Sequence, residues 1–134
     1  MILIDSNVII DVINDEAEWK DWSMGRIAFL GARGRVAVNE IVVAEVAPSM
    51  GSLEVFYTEI GKLGIGVESL SDRAAFTAGE AFLGYRMTRR IAGKAILADF
   101  FIGGHAEVLG ATILTRDPRF YRSYFPKVQL ITPE

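Results

Sequence analysis

The sequence predicts an α/β protein, a three-layer α/β/α sandwich around a mainly parallel central sheet. Three observations point there. Short apolar runs recur at Ile2–Ile4, Val36–Val38, Ile65–Val67, Thr112–Leu114 and Val128–Ile131. Helix-forming segments separate them, and apolar strands alternating with helices belong to a parallel sheet covered on both faces. The size fits as well: 134 residues, 51% of them hydrophobic, suit one domain, expected to span 1–134, that buries roughly two-thirds of its unfolded surface.

Residues 2–5 form the expected first strand. Ser6 or Asn7 then caps a helix running through Ile13, since hydroxyl and amide oxygens accept from the free N–H groups of a first turn. A second helix is expected from Glu16 to Arg33, closed by Gly31 and Gly34. After the strand at 36–38, Asn39 caps the helix that carries Glu45, and Pro48 stops it because proline lacks the N–H that continues a helix. Leu53 to Leu63 is helical, and the third strand follows. Ser71-Asp72 open a long helix reaching about Arg90, Gly93 marks a hinge or loop, and Ala98 to Leu109 is a helix ended by Gly110. No internal repeat, low-complexity stretch or linker interrupts this order.

No window holds the ~18 uninterrupted apolar residues of a membrane span. The apolar N-terminus has no basic region ahead of it, so it reads as a strand rather than a secretory signal. Cysteine is absent, which rules out disulfide and thiolate chemistry and fits a reducing cytoplasm. The net charge of −3 argues against a nucleic-acid binder with a generally positive surface. The distribution is uneven: residues 1–67 carry 5 basic and 10 acidic side chains, and residues 68–134 carry 9 and 7. If cations absorb some of the acidic charge, the C-terminal half is able to face a polyanion.

The most informative residues are four acids set in or beside apolar runs. Asp5 ends the first strand, Glu45 follows Ile41-Val42-Val43-Ala44, Asp99 opens Phe100-Phe101-Ile102-Gly103-Gly104, and Asp117 follows Thr112–Thr115. An ionised carboxylate in such surroundings needs a cation or several hydrogen-bond donors. Open parallel sheets bind ligands beyond the carboxyl ends of their strands, where the strand order reverses. Asp5 and Asp117 lie at such ends, and helices that follow strands bring Glu45 and Asp99 to the same edge. With about 100° per helical residue, Glu40 and Glu45 point about 140° apart, so only one faces the site. Glu45, set among Val43, Ala44, Val46 and Ala47, is the better choice. His105 points about 120° from Asp99 and is expected to be a satisfied or partly exposed helical histidine, not a ligand or a general base. Carboxylates without histidine or cysteine favour Mg2+ or Mn2+ over zinc. One such ion could activate a water, and two about 4 Å apart could also stabilise the leaving oxygen of a phosphodiester.

Four stretches together, Ile2-Leu3-Ile4-Asp5-Ser6-Asn7-Val8-Ile9-Ile10, Asn39-Glu40-Ile41-Val42-Val43-Ala44-Glu45-Val46, Ala98-Asp99-Phe100-Phe101-Ile102-Gly103-Gly104-His105-Ala106 and Ile113-Leu114-Thr115-Arg116-Asp117-Pro118-Arg119-Phe120, resemble the PIN-domain nucleases. Within that family they are similar to the VapC-type toxins of prokaryotic toxin–antitoxin pairs. Tyr124-Phe125-Pro126-Lys127-Val128 and Pro133 resemble the family's ending. The resemblance implies that Asp5, Glu45, Asp99 and Asp117 hold Mg2+ or Mn2+ and cleave RNA hydrolytically, leaving a 5′-phosphate and a 3′-hydroxyl. It places Ser6 or Asn7, and Thr115, where the family orients acids or water. Asn39 departs from the serine more usual there. It further implies a homodimer silenced by an antitoxin whose tail enters the active-site groove.

Arg86, Arg89, Arg90 and Lys94, and Arg116, Arg119 and Arg122 around the last acid, are candidates for gripping RNA phosphates. The first set could equally complement a helix C-terminus. Phe120, Tyr121, Tyr124 and Phe125 read as core or dimer packing ahead of base stacking. Trp19 and Trp22, at i and i+3, share a helix face for packing or antitoxin docking. Two rival functions remain open. A phosphoacceptor domain also places Asp after an apolar strand, but Lys127 precedes the last strand where a receiver needs a lysine after a late one. A phosphatase of the haloacid-dehalogenase type wants a second aspartate where Asn7 stands. The other rival is a non-catalytic PIN-like module that binds RNA or a protein.

Overall fold

The computed structural model describes residues 1–15, 17–88 and 97–133. Within them, five parallel strands form one sheet: β1 (Ile2–Ile4), β2 (Val36–Val38), β3 (Ile65–Val67), β4 (Thr112–Leu114) and β5 (Leu130–Ile131), in spatial order β3-β2-β1-β4-β5. The connecting helices are α1 (Ser6–Ile13), α2 (Lys20–Gly31), α3 (Glu40–Met50), α4 (Leu53–Lys62), α5 (Asp72–Thr88), α6 (Leu97–Leu109) and α7 (Pro118–Tyr124). This is the expected α/β sandwich with a parallel sheet. None of the described helices is long and apolar enough to cross a membrane.

The chain steps from β1 outward to β2 and β3, then returns past β1 to lay down β4 and β5. Right-handed crossovers place α1–α4 on one face and α5–α7 on the other, and α1 accordingly packs on α2 and α3 while α5 packs along α6. Leu3 pairs with Ala37 on one side and Ile113 on the other. Leu3, Ile4, Val36, Ala37, Val38, Ile113 and Leu114 are each no more than 2% exposed, as strands covered on both faces require. The strand order reverses between β1 and β4, so the crevice beyond their carboxyl ends is the natural ligand site.

The α5 and α6 helices meet at backbone distance. A Cβ on Gly104 would stand 2.8 Å from the Ala78 nitrogen and 3.0 Å from the Ala74 oxygen, and one on Gly103 would enter the Phe125 ring. Two adjacent residues without side chains therefore let α6 lie against both neighbours. Phe100 anchors the same layer, its ring 4.9 Å from Phe120 and 5.2 Å from Tyr124 between centroids.

Several boundaries differ from the sequence expectation, each for a local reason. The cap of α1 is Asp5, not Ser6 or Asn7, because the Asp5 carboxyl accepts the Ser6 N–H. Helix α2 starts at Lys20: Trp19 stands at its cap position, and Lys20 folds back so that its Nζ donates to the Val12 carbonyl at 3.1 Å. Trp19, at the cap, and Trp22, in the first turn, meet edge to face at 6.2 Å. Pro48 does not stop α3, which runs to Met50 and ends at Gly51 with φ +90°. The proline forfeits only the bond to the Ala44 carbonyl, and both residues are exposed to water, which satisfies that oxygen. The last strand is shorter than expected, and α7 was not foreseen. Arg89, Arg90, Gly93 and Lys94 lie outside the described residues.

Candidate functional site

Asp5 is the first residue beyond β1 and the N-cap of α1. Its Oδ1 accepts the Ser6 N–H at 2.8 Å, and its Oδ2 accepts from the Thr115 hydroxyl at 2.8 Å, the Tyr121 hydroxyl at 2.9 Å and the Asn7 amide at 3.4 Å. Thr115, the first residue beyond β4, also accepts the Asp117 N–H at 3.0 Å, while the Asn7 carbonyl oxygen accepts the Arg116 N–H at 3.2 Å. The ends of β1 and β4 are thereby tied together by side chains. Asp5 is only 8% exposed. Burial pushes its carboxyl above the ordinary carboxylate range; the bonds from Thr115, Tyr121 and Ser6 oppose that shift, and the Asp117 charge adds to it.

Glu45 stands in the second turn of α3 and is exposed, not enclosed by the apolar residues beside it in sequence. Partial desolvation raises its carboxyl, a hydrogen bond from the Ser6 side chain lowers it, and the facing Asp5 and Asp99 charges raise it again. Asp99 stands in the first turn of α6, half-buried, and Asp117 is exposed before α7. The Tyr121 phenol is held well above its usual range, chiefly by burial and then by Asp5, with Asp99 and Glu45 contributing. The four acids named from the sequence therefore meet electrostatically along the β1–β4 crevice, from Asp117 through Asp5 and Glu45 to Asp99. Among the described residues, no three Asp, Glu, His or Cys side chains are grouped so as to hold a metal ion. The four acids offer only hard oxygens, the donor type that Mg2+ takes alongside several waters.

The family model described as PIN domain matches residues 2–126. The chain belongs to the PIN-domain family. Among solved structures, this PIN domain is similar to VapBC2 from Rickettsia felis bound to a promoter DNA fragment, at 22% identity and a TM-score of 0.74 over 98% of each chain. It is also similar to a toxin–antitoxin complex from Klebsiella pneumoniae, at 19% identity and a TM-score of 0.68 over 100% of this chain and 98% of that one. A third similar structure is VapC20 from Mycobacterium tuberculosis, a sarcin-ricin loop cleaving toxin, at 15% identity and a TM-score of 0.63 over 96% and 99%. At these identities the likeness establishes the fold. No curated protein matches the sequence.

The remaining candidates of this PIN domain take different positions. Arg116 pairs with Asp11, with Nε 2.6 Å from Oδ2 and Nη2 2.9 Å from Oδ1. Arg119 and Arg122 line an open depression of about 520 Å³ together with Asp117 and Ser123. Arg86 sits in the last turn of α5, its guanidinium 6.0 Å from the Phe82 ring centroid. Tyr121 and Phe125 are buried, and Phe120 and Tyr124 pack on Phe100, so the aromatic cluster is packing. His105 is 1% exposed and bonded at Nδ1 to the Asn39 amide at 3.1 Å, while Asn39 Oδ1 caps α3 through Ile41 and Val42. Glu40 accepts from the Leu70 N–H at 2.9 Å, away from the acids.

Two site residues escaped the sequence reading. Tyr121 was grouped with packing aromatics, although a buried tyrosine hydroxyl usually finds a polar partner. Asp11 carried the same signal as the four chosen acids, a carboxylate within Val8–Ile13.

Proposed function

We propose that this PIN domain is a Mg2+- or Mn2+-dependent endoribonuclease that hydrolyses RNA phosphodiesters, and that it is the toxin of a toxin–antitoxin pair. The observation that carries the reading is the buried Asp5 carboxylate, fixed by four donors at the strand-order switch and facing Asp117 and Glu45. Asp5, Glu45, Asp99 and Asp117 are assigned as the oxygen ligands. A bound divalent ion supplies Lewis acidity and lowers the pKa of a coordinated water.

The protein's own part is positioning. Thr115, Tyr121 and Asn7 fix Oδ2 of Asp5, and the Ser6 N–H fixes Oδ1, so the carboxylate cannot swing away from an incoming ion. The Ser6 hydroxyl does the same for Glu45. Arg119 and Arg122, next to Asp117, are assigned to the flanking phosphates of a single-stranded RNA segment. An antitoxin partner, a homodimer and a cytoplasmic setting complete the proposal. The antitoxin partner is supported by the fold shared with the Klebsiella pneumoniae toxin–antitoxin complex, and the RNA substrate by the fold shared with the sarcin-ricin loop cleaving toxin.

The test is incubation of the purified protein with structured and single-stranded RNAs in Mn2+, in Mg2+ and in EDTA. Metal-dependent cleavage with 5′-phosphate ends, lost in a still folded Asp5→Asn variant, is the expected result. A folded wild-type protein that cuts no RNA in either metal ends the nuclease reading and leaves a non-catalytic binding module. Covalent phosphate recovered on Asp5 would instead mark a phosphoacceptor.

A further inference from the structure

The ion pair between Asp11 and Arg116 lies outside the row of acids, yet its backbone connections lead to that row. Asp11 is 4% exposed and receives the Ser23 hydroxyl from α2 at 2.8 Å as well as the two-pronged Arg116 guanidinium. The Trp19 ring covers the guanidinium, with its centroid 5.8 Å from Cζ. Asn7 and Asp11 stand at i and i+4, on one face of α1. That face binds Arg116 twice, through its backbone N–H at Asn7 and through its side chain at Asp11. On either side of Arg116 stand Thr115, which donates to Asp5, and Asp117, whose N–H Thr115 accepts. Asp5 in turn caps the same helix.

From this geometry we infer that Asp11 and Arg116 are a positioning pair for the nuclease reaction, and the inference rests on that reading. One rigid helix holds Asp5 at its tip and, through Asp11, grips the segment carrying Asp117, so the spacing of the two acids is set by α1 instead of by a free loop. Arginine suits the task because its planar fork engages both carboxylate oxygens at once, whereas a lysine ammonium binds as a point charge and leaves the loop able to pivot. Arg116 so engaged commits its Nε and Nη2 to Asp11.

The test uses Arg116→Lys, Asp11→Asn and the double variant of the full chain, with Ser23→Ala as a milder change that trims one bond from Asp11. Backbone amide exchange at Arg116 and Asp117 reads the loop directly, whether or not the protein is active. Both single variants are expected to speed that exchange and to lower kcat by about tenfold or more with KM for RNA unchanged. The double variant should be no worse than the worse single one, as for a unit. Unchanged exchange in a protein that still cuts RNA overturns the inference and leaves the nuclease reading intact. A raised KM for Arg116→Lys with unchanged kcat and a flatter salt dependence also overturns it, since that marks a phosphate contact. Accelerated exchange in variants that keep wild-type kcat would make the pair purely structural and would likewise end it. Wild-type protein that cuts no RNA ends the nuclease reading, and with it the catalytic role of the pair, whatever the exchange shows. If the single variants unfold, the same readouts on Ser23→Ala decide.

Discussion

The Tyr121 hydroxyl donates to Asp5 Oδ2 across 2.9 Å, linking the C-terminal helix α7 to the tip of the first strand. The bond explains why a tyrosine, not a phenylalanine, stands in an otherwise aromatic cluster. Tyr121→Phe keeps the ring packing and removes one donor from a buried carboxylate. It should cost about 1.5–3 kcal/mol where the acceptor is charged. The loss should shrink as pH falls and Asp5 takes up a proton, since the bond then becomes an ordinary neutral one. Urea unfolding of both proteins across a pH series measures the difference.

Asp5 and Glu45 both titrate above their ordinary values in the fold, mainly through desolvation. The folded chain therefore holds protons that the unfolded chain has already released. The resulting support is complete below about pH 4, the unfolded range, and is lost as pH rises through the folded values. Asp5→Asn, which cannot ionise, should thus lose part of wild type's decline in stability with rising pH in EDTA. With Mn2+ at a hundredfold excess over its Kd, wild type should gain about 2.7 kcal/mol, and the variant should gain far less. Thermal scans with EDTA and with Mn2+ give both numbers, and an equal Mn2+ gain in the two proteins would remove Asp5 from the ion site.

His105 has the opposite sign. Burial disfavours its charged form and lowers its pKa, against the pull of Glu68, Glu40 and the Ser69 backbone. Its contribution is complete above about pH 6.5, the unfolded value, and is lost as pH falls toward the depressed folded value. Stability should accordingly decline on acidification in this window, and His105→Gln should flatten the decline. Melting temperature against pH for the two proteins tests it, with parallel curves the outcome that excludes His105.

The helical glycine at the α5–α6 contact, Gly104, and Gly79 on the outside of α5 provide a contrast in sign. Gly104→Ala pushes a Cβ against the Ala74 and Ala78 backbone, which cannot rotate aside, and should cost about 1–3 kcal/mol through helix displacement. Gly79→Ala meets nothing within 4 Å and should stabilise the protein by up to about 1 kcal/mol through helix propensity. Chemical denaturation of the two variants checks the pair.

Apolar runs and caps made the sheet, its parallel sense and the α3 start at Asn39 legible, because strand burial and capping are local in sequence. The candidate acids were legible for a related reason: Asp5, Glu45, Asp99 and Asp117 each violate an apolar neighbourhood. Pro48 misled because its cost depends on whether Ala44 faces water, which is a property of the folded surface. The pairing of Arg116 with Asp11 was not legible because the two are distant in sequence.

By its own pattern, the sequence determined the α/β architecture and the set of acids at the carboxyl edge, since periodicity and burial conflicts are written into consecutive residues. Only the tertiary structure decided which donors fix Asp5, that Tyr121 is one of them, and that Arg116 serves Asp11. Those pairings join residues about a hundred positions apart, and hydrogen-bond partners over such separations are chosen by three-dimensional proximity within a few ångströms, which no local pattern encodes.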